Sequence, residues 1–202
     1  WGFEDFYLYE YAKEKILDLA AADQPFAFTM FTIDTHHPAG NLCEKCDDTD
    51  LTGLDWTEAE NLQFETVLRC ADRQIDEFIR WLQAQDFYEN TTVVITGDHC
   101  SMNSSFFNEN VSDEYERHVY NCFLNAAVTP KQEKNREFTT LDMFPTTLAA
   151  LGCTIEGDQL GLGVNLFSDK KTLSETYGFD YLRIEFNKIS LYYEEHFYKT
   201  KQ

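Results

Sequence analysis

Two short, wholly apolar runs break off on an acid and an imidazole, and this constrains the chain more than any other feature. Residues 26–33 (FAFTMFTI) lead into Asp34-Thr35-His36-His37-Pro38, and residues 92–96 (TVVIT) lead into Gly97-Asp98-His99. An apolar run of this length suits a strand covered on both faces. Between the two runs, residues 57–85 hold a helical period through Leu62, Phe64, Val67, Leu68, Ala71, Ile75, Phe78, Ile79 and Leu82. Thr57-Glu58-Ala59-Glu60 opens that stretch with the pattern of a capping box. Strand, helix and strand in this order predict an α/β fold with a mostly parallel central sheet and helices on both faces. Ligand sites of such sheets lie outside the carboxyl ends of the strands. Both runs put their acid and histidines there.

The remaining pattern is consistent with that class. Residues 3–22 read as a helix that Pro25 prevents from continuing, and residues 39–55 read as a long polar loop. A turn is expected at 86–90, a loop from His99 to Glu116 and a strand within 119–128. Thr140 is placed to cap a helix that Gly152 ends, and residues 157–163 form a glycine-rich turn. The tail, residues 173–202, is aromatic and charged without a decisive period. No repeat or linker divides the 202 residues, which suffice for one domain or part of a larger one. The chain opens on Trp1, which is not expected to be the natural start.

A formal net charge of −20 opposes nucleic acid or anionic lipid as a general partner. An anionic substrate would have to be drawn in by a local cation. No apolar run approaches the ~18 residues of a membrane-spanning helix. Cys43 and Cys46 form C-E-K-C in the polar loop, a pattern open to zinc, a redox pair or a disulfide. Without a second C-x-x-C, a four-cysteine zinc site is disfavoured. The expected arrangement is a disulfide from one of these to Cys70, which suits an extracytoplasmic compartment.

Asp98 and His99 offer a hard oxygen and an imidazole nitrogen, a donor set suited to Mn²⁺ or Zn²⁺. The ordinary alternative is an aspartate capping a strand-end turn beside a half-exposed histidine. His36 and His37 could bind metal, act as acid or base, or hydrogen-bond an anionic substrate. Pro38 keeps the pair out of a helix. Arg117 and His118 read as surface residues.

The segments WGFEDFYLYE, FTIDTHHPAG, NTTVVITGDHCSM, RHVYNCFLN, FTTLDMFPTTLAALG and LGLGVNLF resemble, in this order, the later half of the catalytic domain of phosphoglycerol transferases. That family, within the alkaline phosphatase/sulfatase superfamily, includes lipoteichoic acid synthases and periplasmic-glucan phosphoglycerol transferases. The resemblance implies a central sheet between helices and transfer of glycerol phosphate from a phosphatidylglycerol-like head group to a glycan or polymer acceptor. It implies Asp98 and His99 as metal ligands, with Mn²⁺ the expected ion and Zn²⁺ or Mg²⁺ the alternatives. His36 matches the histidine that contacts the substrate, while His37 matches a variable neighbour. The family's threonine nucleophile and metal-binding glutamate have no counterpart here, since Thr29, Thr32 and Thr35 lack a matching glutamate. They are therefore expected upstream of Trp1. Residues 1–202 would then be the carboxyl-side portion of one catalytic domain, inactive alone. The whole protein would be extracytoplasmic, on a membrane anchor outside these residues. Alternatives are a sulfatase or other phosphodiesterase, a phosphoethanolamine transferase, or a non-catalytic glycan-binding module using Phe106, Phe107, Tyr192 and Tyr193.

Overall fold

Helix formation follows the apolar periodicity. In a computed structural model, which describes residues 2–22, 24–132 and 135–198, α1 spans Asp5–Ala20 and α2 spans Trp56–Gln83. The cap of α2 lies two residues earlier than expected. Asp55 accepts from Glu58 N–H at 2.9 Å, and the Glu58 carboxylate accepts from Asp55 N–H at 3.1 Å. Two capping patterns overlap in this sequence, D-x-x-E and T-x-x-E, and the earlier one starts the helix two residues sooner with two backbone donors satisfied.

The chain gathers into two compact units, Trp1–Thr91 with Ile95–Asn121, and Thr92–Val94 with Cys122–Gln202. In the first, α2 buries Phe64, Val67, Cys70, Phe78 and Leu82 along one stripe, and α1 buries Tyr9, Ala12 and Ile16. The Tyr9 and Phe78 rings meet at 5.0 Å. The same stripe also buries Asn61 and Gln74. Residues after His99, expected to be loop, contain α3 (Ser104–Asn110), whose Phe106 ring packs edge-on to Phe64 at 5.2 Å.

The strand after α2 is β1 (Val93–Thr96), and it pairs with β2 (Asn121–Leu124). The run 26–33 joins no sheet among the described residues, and Phe31 is 84% exposed. A strand exists only through a hydrogen-bonding neighbour, and this run has none there. Its apolar character is real, but five of its eight residues are exposed.

In the second unit, Thr139 caps a short 3₁₀ turn that continues as α4 (Met143–Ala150), and Gly152 leaves the helix at φ +83°. A two-residue hairpin, β3 (Gln159–Leu160) with β4 (Gly163–Val164), occupies the glycine-rich stretch. A Cβ on Gly163 would fall 1.9 Å from Leu141 O, so only glycine fits. Asp142 is buried beneath the hairpin and accepts from Val164 N–H at 2.8 Å and Thr139 N–H at 2.9 Å. The ambiguous tail forms α5 (Leu173–Tyr177), α6 (Phe179–Phe186) and a final helical turn from Leu191. Residues 199–202 lie outside the described residues.

Phe64 is fully buried within the first unit. Phe64→Ala should destabilise the chain by ~3–5 kcal/mol. This would read as a lower urea midpoint at an unchanged denaturant slope.

Candidate functional site

The polar turn after residues 26–33 is held by a reciprocal pair of buried carboxyls. Asp5 N–H donates to Asp34 Oδ2 at 3.0 Å, and Asp34 N–H donates to Asp5 Oδ2 at 3.2 Å. Ile33 N–H adds a bond to Asp5 Oδ1 at 2.7 Å. The first turn of α1 therefore grips the chain where it leaves the apolar run. Asp34, met in sequence as part of a chemically loaded segment, is consumed by this bracket. Burial pushes the Asp5 carboxyl above its ordinary pKa; the N–H bond from Ile33 partly offsets this, and the neighbouring Asp34 charge adds to it.

Beyond the bracket, His36 N–H bonds Ile33 O and Gly40 N–H bonds His36 O, each at 2.9 Å, closing successive turns. Gly40 has φ +72°, and a Cβ there would stand 2.7 Å from Asp34 O and 2.8 Å from a Val67 methyl. The tight return past α2 therefore requires glycine. The His36 ring bonds His37 O through Nδ1 at 2.8 Å, and a carbonyl partner fixes the proton on that nitrogen.

The second polar segment leaves β1. His99 Nδ1 donates to Cys100 O at 2.9 Å, so Nε2 presents a lone pair. That nitrogen lies 3.4 Å from Asp98 Oδ2, while His99 N–H bonds Asp98 Oδ1 at 2.8 Å. The two atoms are close enough to hold one cation between them. Both side chains are exposed, and both atoms can reach one ion. The pair fits a divalent cation as part of a larger ligand set.

His36, His37, Asp98 and His99 line one cleft of about 180 Å³, together with Thr35 and Ser101 and floored by Phe64 and Leu68. Two residues without an expected role in a site hold its second wall. Asn103 is 1% exposed; its Nδ2 donates to Pro38 O at 3.0 Å, and its Oδ1 accepts from Phe106 N–H and Ser105 Oγ. It thus ties the loop after β1 to the turn after His37. Arg117, expected at the surface, stacks over Phe107 at 3.8 Å and donates to Ser101 O. An Asn-Ser-Ser triplet before aromatic residues was the available signal for the first, as a cap. Nothing in the local pattern marked the second.

The sulfatase family matches residues 3–153, a span that contains every cleft residue named above. The chain belongs to the sulfatase family. Over 152 residues it is 32% identical to phosphoglycerol transferase I of Xanthomonas euvesicatoria pv. vesicatoria (strain 85-10), covering 75% of this chain and 21% of that protein. It is 30% identical over 179 residues to phosphoglycerol transferase I of Salmonella typhi, covering 88% of this chain and 22% of that one. The sulfatase-family chain thus spans about a fifth of the length of the curated relatives it matches. No solved structure matches it.

Two measurements test how this sulfatase-family cleft is held. Asp5 favours its protonated form in the fold, so its contribution is complete below the ordinary carboxylate pKa of ~4 and is lost as pH rises through the raised value. Asp5→Asn should gain stability relative to the parent as pH rises over that window, read as the difference in urea midpoints. Asn103→Ala strips three hydrogen bonds from a buried group. It should cost ~2–3 kcal/mol and raise amide exchange in the Asp98–Asn103 loop.

Proposed function

We propose that this chain is the carboxyl-side portion of the catalytic domain of a metal-dependent phosphoglycerol transferase. In this reading Asp98 and His99 are two ligands of the metal, and His36 contacts the substrate phosphate or glycerol. The observation that carries it is the shared cleft: two segments far apart in sequence put His36, His37, Asp98 and His99 around one small space. Support also comes from the family membership and from the activity named for relatives about 30% identical.

The chemistry assigned to each group follows from its surroundings. Asp98 Oδ2 and His99 Nε2 supply one anionic and one neutral donor, a set suited to Mn²⁺, with Zn²⁺ or Mg²⁺ as alternatives. When bound, the ion would activate a hydroxyl nucleophile and offset charge on the phosphoryl oxygens. Cys100 O holds the His99 tautomer that leaves Nε2 available. His36 is oriented by its bond to His37 O, which leaves its Nε2 lone pair suited to accepting from a substrate hydroxyl or moving a proton there. The chain's net charge makes such a local cation necessary for an anionic head group.

The nucleophilic threonine and the remaining metal ligand belong, in this proposal, to other parts of a longer protein, and this chain alone is inactive. The run 26–33 and β1 would be strands of its mostly parallel central sheet. The donor would be a phosphatidylglycerol-like head group and the acceptor a glycan or polymer. The site would face the extracytoplasmic side of a membrane to which the whole protein is anchored. The described residues contain no helix long and apolar enough to cross it.

In the longer protein that carries this chain, Asp98→Ala and His99→Ala should each lower metal content and release of glycerol phosphate from phosphatidylglycerol vesicles by at least ~100-fold. His36→Gln should lower turnover by ~100-fold or more with metal content unchanged. Unchanged turnover in the first two variants would remove the ligand assignment.

A further inference from the structure

Three sulfurs outside the cleft meet beside α2. Cys46 and Cys70 are disulfide-bonded, with Cα atoms 5.3 Å apart. Cys43 Sγ lies 3.4 Å from Cys46 Sγ and 4.0 Å from Cys70 Sγ. A disulfide staple uses two sulfurs, and its purpose would be served as well with an apolar side chain at position 43. Instead a third thiol, 4% exposed, is held against the bonded pair.

The surroundings are also built for sulfur. Cys46 N–H bonds Cys43 O at 3.0 Å, so C-E-K-C forms a turn that aims both side chains the same way. Arg73 fastens that turn to α2 through Lys45 O at 3.0 Å. Gln74, one helical turn after Cys70, places Nε2 3.2 Å from Cys70 Sγ and 3.4 Å from Cys43 Sγ. Its Oε1 is buried with no hydrogen-bond partner among the described residues. Gln74 is itself 7% exposed, a costly place for an amide with half its capacity unused.

Tetrahedral zinc with Zn–S bonds of ~2.3 Å separates its sulfurs by about 3.8 Å. The two separations from Cys43 bracket that spacing. Turning the Gln74 amide end for end keeps its shape and brings Oε1 to the sulfurs in place of Nε2. Facing three thiolates, that oxygen is tolerable only with a cation between them. A zinc ion would thus use both the third thiol and the amide oxygen.

We propose that, once the Cys46–Cys70 bond is reduced, Cys43, Cys46 and Cys70 bind one zinc ion as thiolates, with Gln74 Oε1 completing the site. Reduction adds two electrons and two protons to the disulfide. A dithiol supplies both and leaves as its own disulfide, whereas a phosphine supplies the electrons and water supplies the protons and the oxygen of the phosphine oxide. Zinc then displaces one proton from each of the three thiols. The site is separate from the Asp98–His99 pair and uses different donor chemistry.

The test uses the full chain in an Asp98→Ala/His99→Ala background, so that only sulfur ligands are scored. It is reduced with a phosphine in the absence of oxygen and titrated with Zn²⁺ against a chromophoric chelator. Co²⁺ serves as the spectroscopic probe. The expected result is one ion per reduced chain and a thiolate-to-cobalt charge-transfer band, with no binding by the oxidised chain. Cys43→Ser should weaken zinc binding by at least ~100-fold. A reduced chain that takes up no more zinc than the oxidised one overturns the proposal, whatever the variant does. So does equal affinity in Cys43→Ser.

Discussion

The exchange of hydrogen bonds between Asp5 and Asp34 is the constraint on which the first unit's site rests. Each carboxyl accepts the other residue's backbone N–H, so the start of α1 and the end of the apolar run are fixed together in a buried place. Two carboxyls so close would repel if both were ionised. Burial raises the Asp5 pKa, and the neighbouring Asp34 charge adds to that rise. The arrangement persists because it satisfies backbone donors that would otherwise be buried unpaired. His36 and His37 inherit their position from it, two and three residues downstream.

α2 supplies the wall against which this bracket is set. Its buried stripe is not uniformly apolar, and its polar members mark the places where the helix does more than pack. Asn61 donates to Glu109 at 2.7 Å and accepts from Ser105, joining α2 to α3. Gln74 faces the cysteine cluster. Val67 sets how closely the turn at Gly40 can pass. One amphipathic helix thus organises the cleft, the cysteines and the loop between them.

The second unit solves a similar problem with different groups. Arg136, 8% exposed at its side chain, pairs with Glu175 and donates to the carbonyls of Leu166, Ser168 and Lys170. A buried guanidinium is stable there because its donors are matched by acceptors, including a bidentate carboxylate. Asp142 does the same for the hairpin by accepting from Val164 N–H. In both units charged groups are buried where loops must be held, and hydrophobic contact holds the helices.

Much of this was legible in the chain itself. The helical periods located α1, α2 and α4, and the cysteine spacing anticipated a bond from the C-x-x-C pair to Cys70, which the structure assigns to Cys46. The resemblance of the G-D-H and D-T-H-H-P segments pointed to the family that residues 3–153 match. Apolar character alone could not make residues 26–33 a strand, because pairing depends on a neighbour supplied from elsewhere. Local pattern also gave Asp34 no structural role, missed α3, and did not foresee the stacking of Arg117 on Phe107. What the sequence determined by itself was the local periodicity and the donor types, since these depend on side-chain chemistry and spacing. Tertiary structure alone decided which acid was spent on a bracket, which histidines share a cleft and which sulfur stayed unbonded. Those outcomes depend on distances between residues far apart in the chain, and no local pattern encodes them.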